Sequence, residues 1–144
     1  MKFKKLDEIA NRSVCIIKVE NYSFGTGFFI ELQTEYGTLR GLMTNNQVLN
    51  SSQLNSDKKE GEVFKIYLEG KKKDYYTISL NDMDFIFTEE VIDVTFIQLK
   101  DGITKKINPY FLKIDDNECY EKEKIMIIQY PIDDELAENK NKLF

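Results

Sequence analysis

The chain has 144 residues, of which 42% are hydrophobic and 31% are charged, and its formal net charge is −5. This length and apolar content predict one folded domain rather than a disordered chain. The acidic balance disfavours nucleic acid and anionic membranes as partners, because both would repel it.

The N-terminus carries lysines with no apolar segment behind them, and no stretch approaches the ~18 apolar residues of a membrane span. We therefore expect a cytoplasmic protein whose two cysteines, Cys15 and Cys119, are reduced. Cys15 lies in the apolar run of residues 14–17, which predicts a small buried side chain. A catalytic thiol would need a base such as histidine, and the chain contains none.

Hydrophobic periodicity predicts mainly strands. Residues 1–12 have helical spacing and are expected to pack as a short amphipathic helix across one end of a barrel. Six runs rich in β-branched and aromatic residues over 13–100 are predicted strands: Ser13–Glu20, Gly25–Leu32, Leu39–Thr44, Val63–Leu68, Tyr75–Leu80 and Val94–Leu99. Phe85–Phe87 is a possible further extension. Short strands separated by turn signals favour a closed antiparallel barrel, which leaves no strand edge exposed.

The segments between these strands are predicted to be turns or loops. Gly25 and Gly27 suit a tight bend or a bulge where backbone approaches backbone. Asn45–Leu49 is predicted as one helical turn and Asn50–Glu62 as a surface loop. After Lys100 the polar run Asp101–Pro109 predicts an irregular connector. Two strand candidates follow it, Phe111–Ile114 and Ile125–Ile128, and then a polar segment, Glu135–Asn141.

Three segments carry a family resemblance: Phe24-Gly25-Thr26-Gly27-Phe28-Phe29-Ile30, Gly41-Leu42-Met43-Thr44-Asn45-Asn46-Gln47-Val48-Leu49 and Val91-Ile92-Asp93-Val94-Thr95-Phe96-Ile97. Their order and spacing resemble the first half of a trypsin-like (chymotrypsin-fold) serine protease. The resemblance covers about residues 13–131. It implies an all-β fold, with a six-stranded antiparallel Greek-key barrel over 13–100 and a short N-terminal helix. It also implies that residues 101–144 hold a connector and the truncated start of a second barrel, with Ile125–Pro131 as one of its strands.

By this resemblance, Asp93 takes the position of the triad aspartate and Gln47 that of the catalytic histidine. A carboxamide has no basic nitrogen near neutral pH, so Gln47 can donate a hydrogen bond to the Asp93 carboxylate but cannot transfer a proton. The chain has no segment like the family's serine-bearing G-[DN]-S-G. Its serines, at positions 13, 23, 51, 52, 56 and 79, all lie in the first barrel. The chain as written is therefore expected not to cleave peptides.

Other chemistries have weaker support. The acidic pairs at residues 82 and 84, 115 and 116, and 133 and 134 lack the spacing of a cation-binding loop and are interpreted as solvated turns. No phosphate-binding glycine motif is present. We expect no cofactor and no metal.

Three functions remain open. The first is a catalytically incompetent trypsin-like protease homologue or fragment. The second is a protease-derived module that binds a peptide or protein. The third is part of an active serine endopeptidase, seen in an incomplete or mutated form with glutamine at position 47. In addition, unpaired strand edges near Ile125–Tyr130 would recruit a peptide or protein partner that caps them, or would drive self-association.

Overall fold

The structure, a computed structural model, describes residues 3–19, 23–55, 61–68, 74–114, 126–128 and 141–143. The helices are α1 (Phe3–Ser13), α2 (Ser51–Leu54) and α3 (Asp101–Ile107). The strands are β1 (Val14–Val19), β2 (Ser23–Thr34), β3 (Gly37–Thr44), β4 (Glu62–Leu68), β5 (Tyr75–Ser79), β6 (Met83–Glu89), β7 (Val94–Leu99), β8 (Leu112–Lys113), β9 (Met126–Ile128) and β10 (Asn141–Leu143).

The first eight strands form one curled sheet, which confirms the prediction of a mainly β fold. Its strand order is β5-β4-β1-β2-β3-β7-β6 with antiparallel neighbours, and β8 pairs in parallel with β2. The two end strands, β5 and β6, are consecutive in the chain and separated only by the 3-10 turn Leu80–Asp82. The sheet therefore curls into at least a half-barrel.

Alternation along the strands sends one set of apolar side chains into the core. Phe29, Leu42 and Ile97 are opposite one another on β2, β3 and β7, and each is at most 1% exposed. Burying a side chain of this size stabilises a fold by roughly 1.5–3 kcal/mol. Cys15 on β1 belongs to the same core, and burial raises the pKa of its thiol. The prediction of a structural cysteine is confirmed for Cys15, whereas Cys119 lies outside the described residues.

Two segments predicted to be irregular are helical instead. The predicted connector Asp101–Pro109 contains α3, because Ile103 and Ile107 lie one turn apart and both pack against the core. The predicted loop Asn50–Glu62 begins with α2, which starts with a reciprocal capping box between Asn50 and Gln53. Short polar helices of this kind depend on one or two buried side chains, which a search for long apolar periodicity overlooks.

The ends of the described chain partly follow the predictions. α1 covers the predicted helix, and its last turn is tied to the segment after α3: Tyr110 donates its backbone N–H to the Arg12 carbonyl, and the Ser13 hydroxyl donates to the Tyr110 carbonyl. The candidate strand Ile125–Ile128 includes β9, which pairs with β10. Residue 125 and residues 129–131 lie outside the described part of the chain. No helix within the described ranges is long and apolar enough to cross a bilayer.

Gly41 provides a test of the packing between β3 and β7. A Cβ atom at Gly41 would lie 2.5 Å from the Ile97 carbonyl oxygen and 2.6 Å from the Phe96 ring. Because overpacking a rigid site usually costs about 1–3 kcal/mol, we expect Gly41→Ala to lower the free energy of unfolding by that amount in urea titrations.

The matched control for Gly41→Ala is Gly102→Ala in α3. No atom lies within 4 Å of a Cβ built at Gly102. Alanine is the better helix former by about 0.5–1 kcal/mol, so the control should be neutral or stabilising. Equal destabilisation by the two substitutions would contradict the packing described for Gly41.

Candidate functional site

The predicted turn at Asn45–Leu49 is present and follows directly after β3. The backbone N–H groups of Val48 and Leu49 both donate to the Asn45 carbonyl, at 3.1 and 3.2 Å. The turn packs on β2 through Val48, whose Cγ2 would lie 2.5 Å from a Cβ at Gly25. The prediction for Gly25 is therefore wrong in its details: the glycine admits a neighbouring side chain within a regular strand and makes no bend.

Asp93 lies in the turn between β6 and β7. Its carboxylate accepts hydrogen bonds from the Asn45–Leu49 turn and so joins the two turns. Its Oδ1 accepts the backbone N–H of Gln47 at 3.0 Å, and its Oδ2 accepts the side-chain amide of Asn45 at 3.1 Å. Its own N–H donates to the Glu90 carbonyl at 3.1 Å. The backbone of Asp93 is left-handed, with φ of 54°, a conformation that Asp and Asn tolerate better than most residues.

A second set of hydrogen bonds holds the same turn against β6 and β7. The fully buried Thr95 donates its hydroxyl to the Leu49 carbonyl at 2.6 Å, and its oxygen lies 3.1 Å from that of Thr88. Asn46 donates its side-chain amide to Thr88. The turn is thus bonded to both β6 and β7. We call the set formed by Asp93, Asn45 and the Gln47 backbone the carboxylate clamp.

The two predicted site residues are therefore adjacent, but not through the bond expected between their side chains. The Asp93 carboxylate accepts the backbone N–H of Gln47, and the Gln47 side chain is exposed. The expected donation from the Gln47 carboxamide is replaced by donation from the Asn45 carboxamide. With no basic nitrogen at position 47, the pair can orient a turn but cannot carry a proton to or from a nucleophile.

Among the serines whose side chains the structure describes, none is a nucleophile activated by this pair. Ser13 is fully buried and donates to the Tyr110 carbonyl. The Ser79 hydroxyl bonds to the Asp82 carboxylate at 3.1 Å. Ser51 and Ser52 are exposed on α2, and neither makes a side-chain hydrogen bond to the clamp. The geometry of the described region therefore favours a structural role for Asp93.

Next to the clamp lies an exposed apolar surface that the sequence analysis did not identify. On β6, Phe85, Ile86 and Phe87 are 43%, 37% and 45% exposed. In the following turn, Val91 and Ile92 are 90% and 62% exposed. We call these five residues, which lie on both faces of β6 and in the turn after it, the β6 apolar surface. The sequence predicts the Phe-Ile-Phe run only as a strand extension, and the acidic residues on either side of it are the one signal of its exposure.

A second surface feature is a groove of about 360 Å³ between β3, β7 and α3. Arg40, a charged residue that lines the groove, already has two partners. The Arg40 guanidinium is 2.8 Å from Glu31 and 6.0 Å from the centre of the Phe111 ring. The hydrogen bond from Arg40 is the main cause that lowers the pKa of Glu31, and the charge of Lys113 adds to it. A ligand would have to compete with Glu31 for Arg40, so this groove is a weaker candidate site than the clamp region.

The comparisons with known proteins do not identify a family. No family model, no curated protein and no solved structure matches the chain. Among the described residues, no group of three or more histidine, cysteine or acidic side chains is placed to hold a metal ion. The resemblance to trypsin-like proteases remains a prediction from the three sequence motifs.

The carboxylate clamp predicts a stability effect. Removing the carboxylate with Asp93→Ala leaves the Gln47 N–H and the Asn45 amide without their acceptor, and a hydrogen bond to a charged group contributes about 1.5–3 kcal/mol. We expect a loss of about 2 kcal/mol in urea unfolding and faster hydrogen exchange at the Gln47 amide. Asp93→Asn should cost less, because asparagine keeps one acceptor and tolerates the left-handed backbone.

The matched control for the clamp is Asp84→Ala, which removes an exposed carboxylate from β6 with no hydrogen bond to the turn. It should leave both the stability and the exchange of the Gln47 amide nearly unchanged. Wild-type protection of the Gln47 amide in Asp93→Ala would show that the clamp does not hold the turn.

The Glu31–Arg40 pair predicts a pH effect. Because the pKa of Glu31 is lowered below 4.5 in the folded state, its contribution to stability is present above that pH and is lost as the pH falls through the folded value. Glu31→Gln should therefore reduce the loss of stability between pH 7 and acidic conditions, measured as urea midpoints. Glu35→Gln, at the exposed hairpin tip, is the control and should keep the wild-type slope. Identical slopes for the wild type and Glu31→Gln would contradict this assignment.

Proposed function

We propose that this chain is a trypsin-like barrel whose triad positions serve the fold, and that it acts by binding a peptide or protein without hydrolysing it. The proposal is carried by the carboxylate clamp: the acid at the aspartate position bonds to the backbone at the histidine position, where an exposed glutamine stands. The acid and its turn are retained in this arrangement, while the group that would move protons is absent.

The strand order supports the trypsin-like part of the proposal. If β5 and β6 are taken as one strand bent at residues 80–82, that strand pairs with β4 on one side and with β7 on the other. Such pairing would join the two ends of the sheet through the bent strand, while the outer edge of its β6 half stays without a strand partner among the described residues. β4 returns beside β1 and β7 beside β3, and long returns of this kind are typical of Greek-key connections.

The absence of a base supports the non-catalytic part. A serine protease needs a side chain that accepts the proton of the nucleophile and returns it to the leaving group. Gln47 cannot do either, and the chain contains no histidine that could replace it. Binding requires no such group, and it is favoured by the β6 apolar surface, which continues along the chain to the clamp at Asp93.

The hydrolysis prediction concerns position 47 directly. We expect neither the wild-type chain nor Gln47→His to cleave a fluorogenic peptide library above the rate of a buffer blank. The reason is that the restored imidazole would find the clamp but no activated serine among the described residues. Products are measured by fluorescence and identified by mass spectrometry.

A matched control separates real turnover from contamination. The double variant Gln47→His with Asp93→Ala removes the acid that would orient the imidazole. Cleavage by Gln47→His that disappears in the double variant would overturn the non-catalytic assignment and would favour a protease changed only at position 47. Equal background in all samples agrees with the proposal.

A further inference from the structure

In the part of the chain that the structure describes, one edge of the strand β6 has no strand partner. Within the described residues it pairs only with β7 and ends the strand order of the sheet. Its residues 84–87 are all exposed, although three of them are large and apolar. A strand edge of this kind presents unpaired backbone N–H and C=O groups, which another extended chain can use to add a strand to the sheet.

One face of this edge carries an aromatic platform. Phe85 and Phe87 lie on the same face of β6, and Phe87 is directly opposite Phe96 of β7, which is 3% exposed. The rings of Phe85 and Phe96 are 6.4 Å apart. Because side chains alternate along a strand, an added strand would place every second side chain over this platform. Apolar residues at alternate positions would fit there.

The charged side chains on β6 and in the turn after it are negative, while Lys100 lies next to Asp82 just before β6. Residues 74–99 contain six carboxylates and no lysine or arginine. Asp84 lies just before the aromatic run, and Glu89 and Glu90 lie just after it. None of these three forms an ion pair within the described ranges. An incoming strand with lysine or arginine at both ends would meet opposite charge at both ends.

A second copy of this chain is a poor occupant for the same reason. If β6 of one copy paired antiparallel with β6 of another about a point between Ile86 and Phe87, Asp84 would lie opposite Glu89 at both ends. Like charges directly opposite one another destabilise a strand pair. The acids therefore act against self-pairing while leaving the edge open to a basic partner.

We infer that the free edge of β6 docks an extended segment of a partner protein, apolar at alternate positions and flanked by lysine or arginine. This inference rests on the proposed binding function and names the surface and the partner chemistry. The backbone of β6 supplies the hydrogen bonds, Phe85 and Phe87 select the apolar side chains, and the three acids select the flanking charges.

The test uses two synthetic peptides with one apolar core, Lys-Lys-Ile-Thr-Ile-Thr-Ile-Lys-Lys and its counterpart with glutamate in place of every lysine. We expect the lysine peptide to bind the full chain, measured by fluorescence anisotropy, and the glutamate peptide to bind at least about tenfold more weakly, with the difference shrinking as salt is added. Phe85→Thr with Phe87→Thr should weaken the lysine peptide at least about tenfold. The pair Asp84→Lys with Glu90→Lys should reverse the preference.

Controls keep the outcomes distinct. Tyr36→Thr removes a side chain that is 93% exposed at the distant β2–β3 turn and should leave peptide binding unchanged. Circular dichroism and thermal unfolding establish that each variant is folded. Binding unaffected by the β6 variants, or absent altogether, would overturn the inference. Dimerisation in analytical ultracentrifugation that Phe85→Thr with Phe87→Thr abolishes would assign the edge to a second copy instead. Mass spectrometry of the recovered peptide tests the proposed function separately, because cleavage of the peptide would overturn that function.

Discussion

The Asp93 carboxylate extends the pairing of β3 with β7, which ends at Thr44 and Thr95, into the two turns that border these strands. It holds the turn after β3 against the turn before β7, through one backbone donor and one side-chain donor. Thr95, two residues later and fully buried, secures the far end of the same turn. The left-handed backbone at position 93 directs the carboxylate back towards that turn, and the contacts offset the small cost of this conformation.

In this arrangement, the contact that stabilises the turn does not depend on the side chain that would transfer a proton. A carboxylate that accepts backbone N–H groups keeps its structural value whatever side chain stands at position 47, since it bonds to the main chain there. Replacing a histidine with glutamine at that position would remove proton transfer and leave the clamp intact. Under the proposed function, the hydrogen bonds of the clamp keep the fold without catalysis and leave the surrounding surface for binding.

The strands could be predicted from the sequence because their apolar residues alternate, as Ile17, Phe29 and Leu42 do against a shared core. The closeness of positions 47 and 93 could be predicted only through the family resemblance, and even then the bonding atoms could not. A backbone N–H can donate the same hydrogen bond whatever side chain its residue carries, so the sequence gives no sign of such a bond. α3 was missed because two isoleucines one turn apart, Ile103 and Ile107, are too few to establish a helical period.

The exposure of Phe85–Phe87 was the least predictable feature, because local sequence reports hydrophobicity but not whether a neighbouring strand covers it. An exposed apolar strand edge is normally an aggregation hazard, and proteins commonly protect one with charge. This edge is protected by three acidic residues, Asp84, Glu89 and Glu90. Charge of a single sign, however, protects only against partners of the same sign. Under the inference of a basic partner segment, the same acids that disfavour one register of self-pairing would also select the partner.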